Sequence, residues 1–496
     1  MSLTKEELQE RTCQWGVVLP EDESISWTNE ALTKACANKY LQEHPELDTW
    51  GQRYVWSLSN VMLCKHMKDE IKNFDIPPIE SDDYVAEFKE NGMRVVVCYD
   101  PLKYGFEMFT RKESDITCLN GNITDKTLFI RNGFVSQPKD WVGKFPYRFV
   151  LDGEILADGE TVLDGVEYGM NAVEDFIQSI FSAGTEKAIE IQKAGHNMSF
   201  HIFDVLYFQK DNLEVYPEMT YSYKEEEVTP AGEKWVEEHF RDYLESAQFI
   251  KPCGKKKAKP KKLYAYLLSL RKQPKYSVMH FPFLKRRKLR HQLVELLAKN
   301  NLPFIEVDGR DDAKVTYLDE VLSAGFEGII LKNIHAPYIA GLRSSRSHRA
   351  CMKVKQSISQ IMDGQKMYED FDVFITGANP PKSPRIKDMI GSLSCSIYMI
   401  DDRGEQVIHE IANVSGLSHE WKRKLAQVDD TGKISLNPAY LNKVIAVDGM
   451  ALSGTSLKFH HAVLKNKETL EFKAKNPTDC CWDIDTLRDM VLTRGK

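Results

Sequence analysis

Short apolar runs separated by turn residues recur along the first two thirds of the chain and predict β-strands. Residues 84–88 and 94–99 form the first pair, and Asn91 and Gly92 stand between them. Because asparagine and glycine favour turns, this pattern predicts two strands joined by a short connection. Lys89 directly follows the first run. We therefore expect its side chain to lie at a strand–turn junction, where a short loop can present it to a ligand.

Further apolar runs carry polar residues within them or at their ends. Residues 150–156 contain an acidic D-G-E turn, and residues 203–207 and 325–332 predict two more strands. At residues 352–355 lysine alternates with apolar residues. Successive side chains of a strand point to opposite faces, so Lys353 and Lys355 should face the same side. Without other signals, two exposed strand lysines would be the ordinary interpretation.

The pattern changes near residue 370. Short alternating strands are predicted at residues 371–377, 393–400, 407–411 and 444–447. Short strands at regular spacing are typical of a small barrel, here an OB-fold. Helical periodicity is found at residues 29–41, 52–63, 173–181 and 188–193. Strands and helices together indicate an α+β protein.

Composition limits the class of protein. A chain of 496 residues is long enough for two or three domains, and 42% hydrophobic with 28% charged residues is ordinary for a globular protein. No run of 18 apolar residues occurs and the first residues are polar, so we expect neither a membrane span nor a signal peptide. The ten cysteines include no C-x-x-C pair. This argues against a zinc ribbon and a disulfide framework, and it predicts a cytoplasmic location.

The formal net charge of −7 is unusual for a protein that binds nucleic acid. Phosphate contact needs only a local basic patch, however. One lysine-rich run lies in an insertion near residues 209–280 and comprises Lys255, Lys256, Lys257, Lys259, Lys261 and Lys262. It is interpreted either as a DNA contact or as a solvated charged loop.

Five blocks occur along the chain in a fixed order. They are K-E-N-G at residues 89–92, D-G-E at 152–154, the aromatic strand from Phe203, E-G-I-I-L-K at 327–332 and K-V-K at 353–355. In this order the chain resembles the covalent nucleotidyltransferases, which comprise ATP-dependent DNA ligases, RNA ligases and capping enzymes. Arg94, just after the first block, is similar to the form found in DNA ligases and capping enzymes. The short N-terminal part and the basic insertion resemble viral, bacteriophage or minimal bacterial ligases; for a viral protein the location would be the host cytoplasm.

The resemblance implies an architecture. A small, mostly helical N-terminal extension at residues 1–75 would precede an ATP-grasp-like adenylyltransferase core at residues 76–365. A β-barrel OB-fold would follow at residues 366–496. The tail is similar to the last part of a DNA ligase and makes Lys475 the candidate for orienting pyrophosphate in the first step.

The resemblance also implies a reaction. Lys89 would attack the α-phosphate of ATP and form a lysyl-AMP intermediate. The AMP would pass to a 5′-phosphate, and a 3′-hydroxyl would then seal the nick. Free lysine has a pKa of about 10.4, so such an amine needs burial, nearby cations or a metal to become nucleophilic. Lys353 and Lys355 would be those cations, and they would also neutralise the phosphate.

Roles for the remaining residues follow from the same resemblance. Glu154 would serve the ribose and Mg²⁺, and Glu327 would serve Mg²⁺. Phe203 would stack on adenine, although a core phenylalanine is the commoner fate of such a residue. The other expected nucleotide-binding residues are Glu87, which would read the adenine amino group, and Arg94 and Arg111, which would hold ribose and phosphate.

The expected partner is nicked duplex DNA and the expected state is a monomer. The chain departs from the family pattern at Asn91, where aspartate is usual, at Cys351, where tryptophan is frequent, and in the tail at Phe472 and Ala474. These departures keep two alternatives open. One is an RNA ligase, and the other is a catalytically altered nucleic-acid-binding protein with a ligase fold.

Overall fold

The computed structural model describes most of the chain. The residues described are 37–58, 61–67, 74–113, 117, 119–158, 162–163, 166–167, 173–216, 228–247, 260–324, 326–341, 348–355, 369–380, 388–415, 417–429, 433–452, 457–464 and 470–487. They form a mixed α+β structure with two compact units. The larger unit lies within residues 34–161 and 173–361, and the smaller one contains residues 162–172 and 362–496. The finer division expected from the sequence, with boundaries near residues 75 and 365, stays a prediction.

The larger unit contains a five-stranded sheet that we call the first sheet. In spatial order its strands are β1 (Lys65–His66), β15 (Cys351–Val354), β14 (Ile329–Asn333), β2 (Tyr84–Phe88) and β13 (Gly309–Arg310). Ile330 of β14 lies opposite Lys353 on one side and Glu87 on the other. Residues directly opposite each other in antiparallel strands share a face. Glu87, Ile330 and Lys353 therefore form one row across the first sheet.

A six-stranded sheet, which we call the second sheet, packs in the same unit. Its spatial order is β12 (Phe304–Glu306), β11 (Asn197–Gln209), β8 (Arg148–Asp158), β3 (Met93–Asp100), β4 (Gly105–Glu113) and β5 (Asn120–Asn122). Glu154 lies opposite Arg94 and also opposite His201. The pairing of β11 with β8 shifts between Ile202 and Asp204, so Phe203 is the extra residue of a β-bulge. A bulge re-aims the side chain that it carries.

Helices surround the two sheets. They are α1 (Trp50–Ser57), α2 (Val173–Ser182), α3 (Thr185–Lys193), α4 (Pro230–Ser246), α5 (Pro260–Leu270), α6 (Phe283–Lys299) and α7 (Lys314–Ser323). The Thr49 side chain accepts a hydrogen bond from the Gln52 amide and caps the start of α1. Trp50 and Tyr54 of α1 pack against Tyr207 of β11, with ring centroids 5.3 and 5.6 Å apart. Helix α1 is thereby part of the main core of the larger unit.

Short elements complete the described chain up to residue 355. Two small hairpins are formed by β6 (Phe129–Arg131) with β7 (Phe134–Ser136) and by β9 (Val162–Leu163) with β10 (Val166–Glu167). Single 3-10 turns lie at Pro45–Leu47, Thr124–Lys126 and Pro138–Trp141. No helix among the described residues is long and apolar enough to span a membrane.

The smaller unit is mainly a sheet. Its strands are β16 (Glu369–Asn379), β17 (Ser392–Ile400), β18 (Gln406–Ser415), β22 (Phe459–Leu464), β21 (Val444–Leu452) and β23 (Phe472–Lys473), and β24 (Cys481–Asp483) pairs with β17. Because β16 also pairs with β21, the pairings run from β16 through β17, β18, β22 and β21 back to β16. Helix α8 (His419–Lys424) and the hairpin of β19 (Ala426–Val428) with β20 (Ile434–Leu436) lie between β18 and β21 in the chain.

Candidate functional site

Lys89 lies in the turn that leads from β2 of the first sheet to β3 of the second. Its amide donates a hydrogen bond to the carbonyl of Gly328 at 3.0 Å. Gly328 has a φ of +130°, and a Cβ there would lie 2.0 Å from the carbonyl oxygen of Val354. Only glycine tolerates both conditions. The glycine of the E-G pair therefore lets β14 and β15 approach the lysine turn closely.

Gly92 has a similar role on the other side of the turn. A Cβ at this residue would lie 2.1 Å from the carbonyl oxygen of Ile155 in β8. The missing side chain allows the Gly92 amide to reach the Glu154 carboxylate and donate a hydrogen bond to it at 2.9 Å. The K-E-N-G turn and the D-G-E block are thus joined by a direct contact.

The Lys89 side chain is surrounded by charged groups. Its amine forms an ion pair with Glu327 and donates to the Glu90 carbonyl at 3.1 Å. Glu327 also accepts a hydrogen bond from Lys355 at 3.0 Å. Burial raises the pKa of Glu327, but Lys89 and Lys355 outweigh that effect and hold the pKa below its usual range. The carboxylate is therefore ionised between two lysines.

Lys353 and Glu154 have pKa values displaced towards neutrality. Burial, followed by the charges of Lys355 and Lys89, lowers the pKa of Lys353 to about 8. Burial raises the pKa of Glu154 to about 7, against the opposing effect of Lys89. Groups that titrate near neutral pH inside a cleft are frequent in sites that move protons or bind charged ligands.

Phe203 forms a platform next to two cations. The Arg94 guanidinium lies 4.3 Å from the ring centroid, and the Lys332 amine lies 5.1 Å from it. Arg94 is held by Asp152, to which its Nε and Nη2 atoms donate at 2.7 and 2.6 Å. The structure therefore fixes Arg94 beside the ring with a bidentate pair.

Glu87 is almost completely buried, with 1% of its surface exposed. Its Oε1 atom accepts a hydrogen bond from Arg290 at 2.7 Å, and its Oε2 atom lies 2.6 Å from the Lys332 amine. Burial raises the pKa of Glu87, but the charges of Arg290 and Lys332 lower it by a larger amount. The net shift of this pKa is therefore downward. In this structure both oxygens of the residue expected to read adenine face cations of the chain itself.

These side chains surround one cavity of about 970 Å³. From the first sheet, the row of Glu87, Ile330 and Lys353 lines it, together with the turn that carries Lys89. The second sheet contributes Arg94, Phe203 and Glu154. Helix α2 supplies Gln178, Ser179 and Ser182 to another wall. Ligand pockets usually measure about 300–1,000 Å³, so the cavity is large enough for a nucleotide.

Several residues of the site are absent from the expectations based on sequence. Arg290 of α6 lies outside the blocks, and Tyr338 lies between the E-G-I-I-L-K and K-V-K blocks. Asp152 belongs to the D-G-E block, for which the sequence predicts a turn; this prediction is wrong, because the block lies inside the continuous strand β8. Tyr338 donates to Asp152 at 2.6 Å and accepts from the Met62 amide at 2.9 Å. Glu90 lies 2.6 Å from His201. The repeated charges in α6 were the one available signal for Arg290.

One further predicted residue lines the cavity, and the others lie in the smaller unit or outside the described side chains. Arg111 is exposed and lines the cavity from β4. Lys475, in the smaller unit, donates to Asp372 at 2.5 Å. Lys255, Lys256, Lys257 and Lys259 lie outside the described residues, and of Lys261 and Lys262 only the backbone, in α5, is described. The DNA-contact role of the lysine run stays a prediction.

The donors suit a magnesium ion shared with a substrate. Among the described residues there is no group of three or more histidine, cysteine or acidic side chains that could hold a metal. Mg²⁺ is commonly bound by one or two carboxylates together with substrate phosphates. Glu154 at the cavity and Glu327 beside Lys89 fit that mode.

Cys64 and Cys351 form a disulfide bond in the larger unit. The two cysteines are 287 residues apart in the sequence, so no short cysteine motif indicates that they pair. The sequence argues against a disulfide framework, and this single disulfide bond is a feature that the sequence did not predict.

No family model matches the chain, and no curated protein matches it. Among solved structures it is similar to a mycobacterial DNA ligase D complexed with ATP and MES, with 14% identity, 85% of this chain and 98% of that chain covered, and a TM-score of 0.33. A Lig E DNA ligase shows 14% identity, coverage of 83% and 99%, and a TM-score of 0.39. The ATP-dependent DNA ligase of bacteriophage T7 in complex with ATP shows 13% identity, coverage of 82% and 98%, and a TM-score of 0.28. With values this low, only the residues of the site can indicate what the chain does.

Proposed function

We propose that this chain is an ATP-dependent ligase that seals nicks in duplex DNA through a lysyl-AMP intermediate. The observation that carries the proposal is the setting of Lys89. Its amine lies in the turn between two sheets, in contact with Glu327, at the edge of a cavity that also contains Lys353, Glu154 and the Phe203 platform. An amine, cations, carboxylates and an aromatic ring together suit the transfer of a nucleotidyl group.

In the first step the neutral amine of Lys89 attacks the α-phosphorus of ATP. A nitrogen–phosphorus bond forms as the nitrogen gives up a proton to solvent, the bond to the β-phosphate oxygen breaks, and pyrophosphate leaves. The positive charges of Lys353 and Lys355 stabilise the phosphate as negative charge accumulates on it. Magnesium, held by Glu154 and Glu327 with the phosphates, would neutralise further charge when bound.

In the second and third steps the AMP group leaves Lys89. The 5′-phosphate at a nick attacks the phosphorus of the adduct, which restores the lysine and forms an adenylated DNA end. The 3′-hydroxyl then attacks that end, forms the phosphodiester bond and releases AMP. The lysine run and Arg111 are the proposed contacts to nucleic acid and phosphate.

For the smaller unit we propose an OB-fold. The circuit of pairings through five strands supports this, because an OB-fold is a five-stranded barrel. Lys475 is the proposed contact to pyrophosphate, and its hydrogen bond to Asp372 would have to break for that role. The wider domain map, with a helical extension up to residue 75, is part of the same proposal.

A chase experiment tests the proposal and separates it from the two alternatives. The purified chain is incubated with ATP labelled at the α-phosphate, freed of nucleotide, and mixed with nicked duplexes made of DNA or of RNA. We expect labelled protein, then loss of the label and sealing of the DNA nick. Preferential sealing of RNA would indicate an RNA ligase. Protein that takes up no label in the presence of Mg²⁺ would indicate a nucleic-acid-binding protein without this activity.

A further inference from the structure

The disulfide between Cys64 and Cys351 lies in the wall of the nucleotide cavity. Both residues line that cavity together with Lys89, Glu154 and Lys353. Cys351 is the first residue of β15, the strand that carries Lys353, and Cys64 directly precedes β1. The bond therefore ties the parallel pair of β1 and β15 together at the edge of the first sheet, beside the site.

The two sulfurs differ in access. Cys351 is buried, with 2% of its surface exposed, whereas Cys64 is only half-buried and borders the cavity. A small thiol that enters the cavity would reach Cys64 first. Thiol–disulfide exchange depends on such access to the sulfur under attack.

The segment held by the bond also holds the Phe203 platform. The Met62 amide donates to Tyr338, whose hydroxyl donates to Asp152, the partner of Arg94. Arg94 itself donates to the carbonyl of Met62 at 3.4 Å. The residues just before Cys64 are thus connected to the guanidinium that lies over the Phe203 ring.

Among the described residues, the pairing of β1 with β15 is short. The strand has two residues, and its only register pairs are Lys65 with Met352 and His66 with Lys353. Next to the bond, His348 adds one hydrogen bond to the carbonyl of Leu63 at 2.8 Å. The disulfide adds a covalent constraint to the 61–66 segment, which Met62 also holds through its hydrogen bonds with Tyr338 and Arg94.

From this geometry we infer that Cys64 and Cys351 form a thiol–disulfide exchange site for a small-molecule thiol, and that its state controls ATP binding. This inference rests on the proposed function. The thiolate of the small molecule attacks the Cys64 sulfur, and Cys351 leaves as a thiolate that takes up a proton. A second small thiol then releases Cys64 as a thiol. Overall the protein disulfide is reduced to two thiols while two small thiols are oxidised to their disulfide.

The inference predicts a particular kinetic signature. Reduction removes the covalent link between β1 and β15 and so relaxes one of the constraints on Met62 and Arg94, but it leaves Lys89 and Glu327 in contact. We expect the ATP concentration for half-maximal self-adenylation to rise severalfold on reduction. The rate at saturating ATP should change much less. A merely structural bond would lower the rate at saturating ATP through loss of folded protein and leave the ATP concentration for half-maximal reaction unchanged.

The experiment compares oxidised and dithiothreitol-reduced protein in self-adenylation over a range of ATP concentrations. The variant that replaces both cysteines by serine (Cys64→Ser with Cys351→Ser) should behave like reduced wild type and ignore dithiothreitol. Cys481→Ser, which removes a half-exposed thiol of the smaller unit, is the matched control and should retain the response. Equal responses of wild type and double variant to dithiothreitol would overturn the inference.

Peptide mapping gives a readout that does not depend on activity. Protein treated with oxidised glutathione should contain the cross-linked peptides of Cys64 and Cys351, and bound ATP should slow their reduction. If both cysteines are alkylated without prior reduction, the exchange site does not exist. If the cross-link forms but no form of the protein takes up AMP, the proposed function is wrong and the control of ATP binding fails with it, whereas the exchange site itself stands.

Discussion

The carboxylate of Glu327 contacts the amine of Lys89, so the proposed nucleophile is already held by an ion pair in this structure. The same carboxylate accepts a hydrogen bond from Lys355. Two lysines therefore share one acid, which leaves an excess of one positive charge in this group of three side chains. Ordering the amine in advance avoids the cost of immobilising a flexible side chain during the reaction.

The Phe203 platform gives a prediction for ATP affinity. Phe203→Leu keeps an apolar side chain but removes the aromatic ring that Arg94 and Lys332 contact. Stacking of a base on an aromatic ring contributes roughly 1–3 kcal/mol, so the KM for ATP should rise by about one order of magnitude. Phe203→Tyr is the control and should retain most of the affinity. An unchanged KM in the leucine variant would assign Phe203 to packing alone.

The lowered pKa of Lys353 gives a prediction for pH dependence. Its pKa of about 8 means that the side chain is charged below pH 8 and becomes neutral as the pH rises through that value. If the charge binds a phosphate of ATP, kcat/KM for self-adenylation should fall above about pH 8, because this ratio reports groups of the free enzyme. Arginine keeps its charge at these pH values. Lys353→Arg should therefore move the decline to higher pH, and an identical profile in both proteins would exclude Lys353 as its origin.

Glu87 gives a prediction for stability. Its carboxylate is buried between Arg290 and Lys332, so Glu87→Gln leaves two buried cations short of a partner. Breaking such a pair typically costs about 3–5 kcal/mol, which should appear in the free energy of unfolding at pH 7. Glu43→Gln, in an exposed pair with Lys39, should change it by less than about 0.5 kcal/mol.

The direction of the Glu87 pKa shift fixes how this stability depends on pH. Burial raises the pKa and the two cations lower it more, so the folded-state pKa lies below the ordinary 4.5. Its contribution is present above pH 4.5 and is lost as the pH falls through the folded-state pKa. The difference in unfolding free energy between wild type and variant should shrink in that acidic range. A constant difference would mean that Glu87 does not titrate there.

The lysine run gives a prediction for DNA binding. Replacing Lys255, Lys256, Lys257, Lys259, Lys261 and Lys262 by glutamine removes six positive charges. Each phosphate contact contributes about 0.9 to the slope of log affinity against log salt concentration. We expect the slope on nicked duplex to fall by the amount that corresponds to the loss of about two or three phosphate contacts. The rate of self-adenylation should be unchanged. Lys139→Gln with Lys144→Gln, at exposed positions elsewhere, is the control; an unaltered slope in the six-lysine variant would identify the run as a solvated loop.

Local pattern was sufficient to predict the elements that carry the site. Residues 84–88 form β2, Lys89 follows at the turn, and Lys353 lies on β15 as the alternation indicated. Helix α3 covers the stretch predicted at residues 188–193, and helix α1, predicted over residues 52–63, ends at Ser57. These features depend on neighbouring residues, which a single sequence displays directly.

The partners of the site residues could not be predicted in this way. Arg290 is 203 residues from Glu87, and Cys351 is 287 residues from Cys64. Such contacts arise when the chain folds and leave no trace in local spacing. The β-bulge at Phe203 is another example, since it depends on the register of β11 against β8.

The most direct test of the proposed function is to locate the AMP adduct. The chain is incubated with Mg²⁺ and ATP, digested and analysed by mass spectrometry, in parallel with Lys89→Arg. Arginine keeps the charge beside Glu327 but offers no amine nucleophile, so folding should be preserved while the reaction is lost. We expect AMP on Lys89 of the wild type and no adduct on the variant. An adduct of normal yield on Lys89→Arg, or on a different lysine of the wild type, would contradict the account.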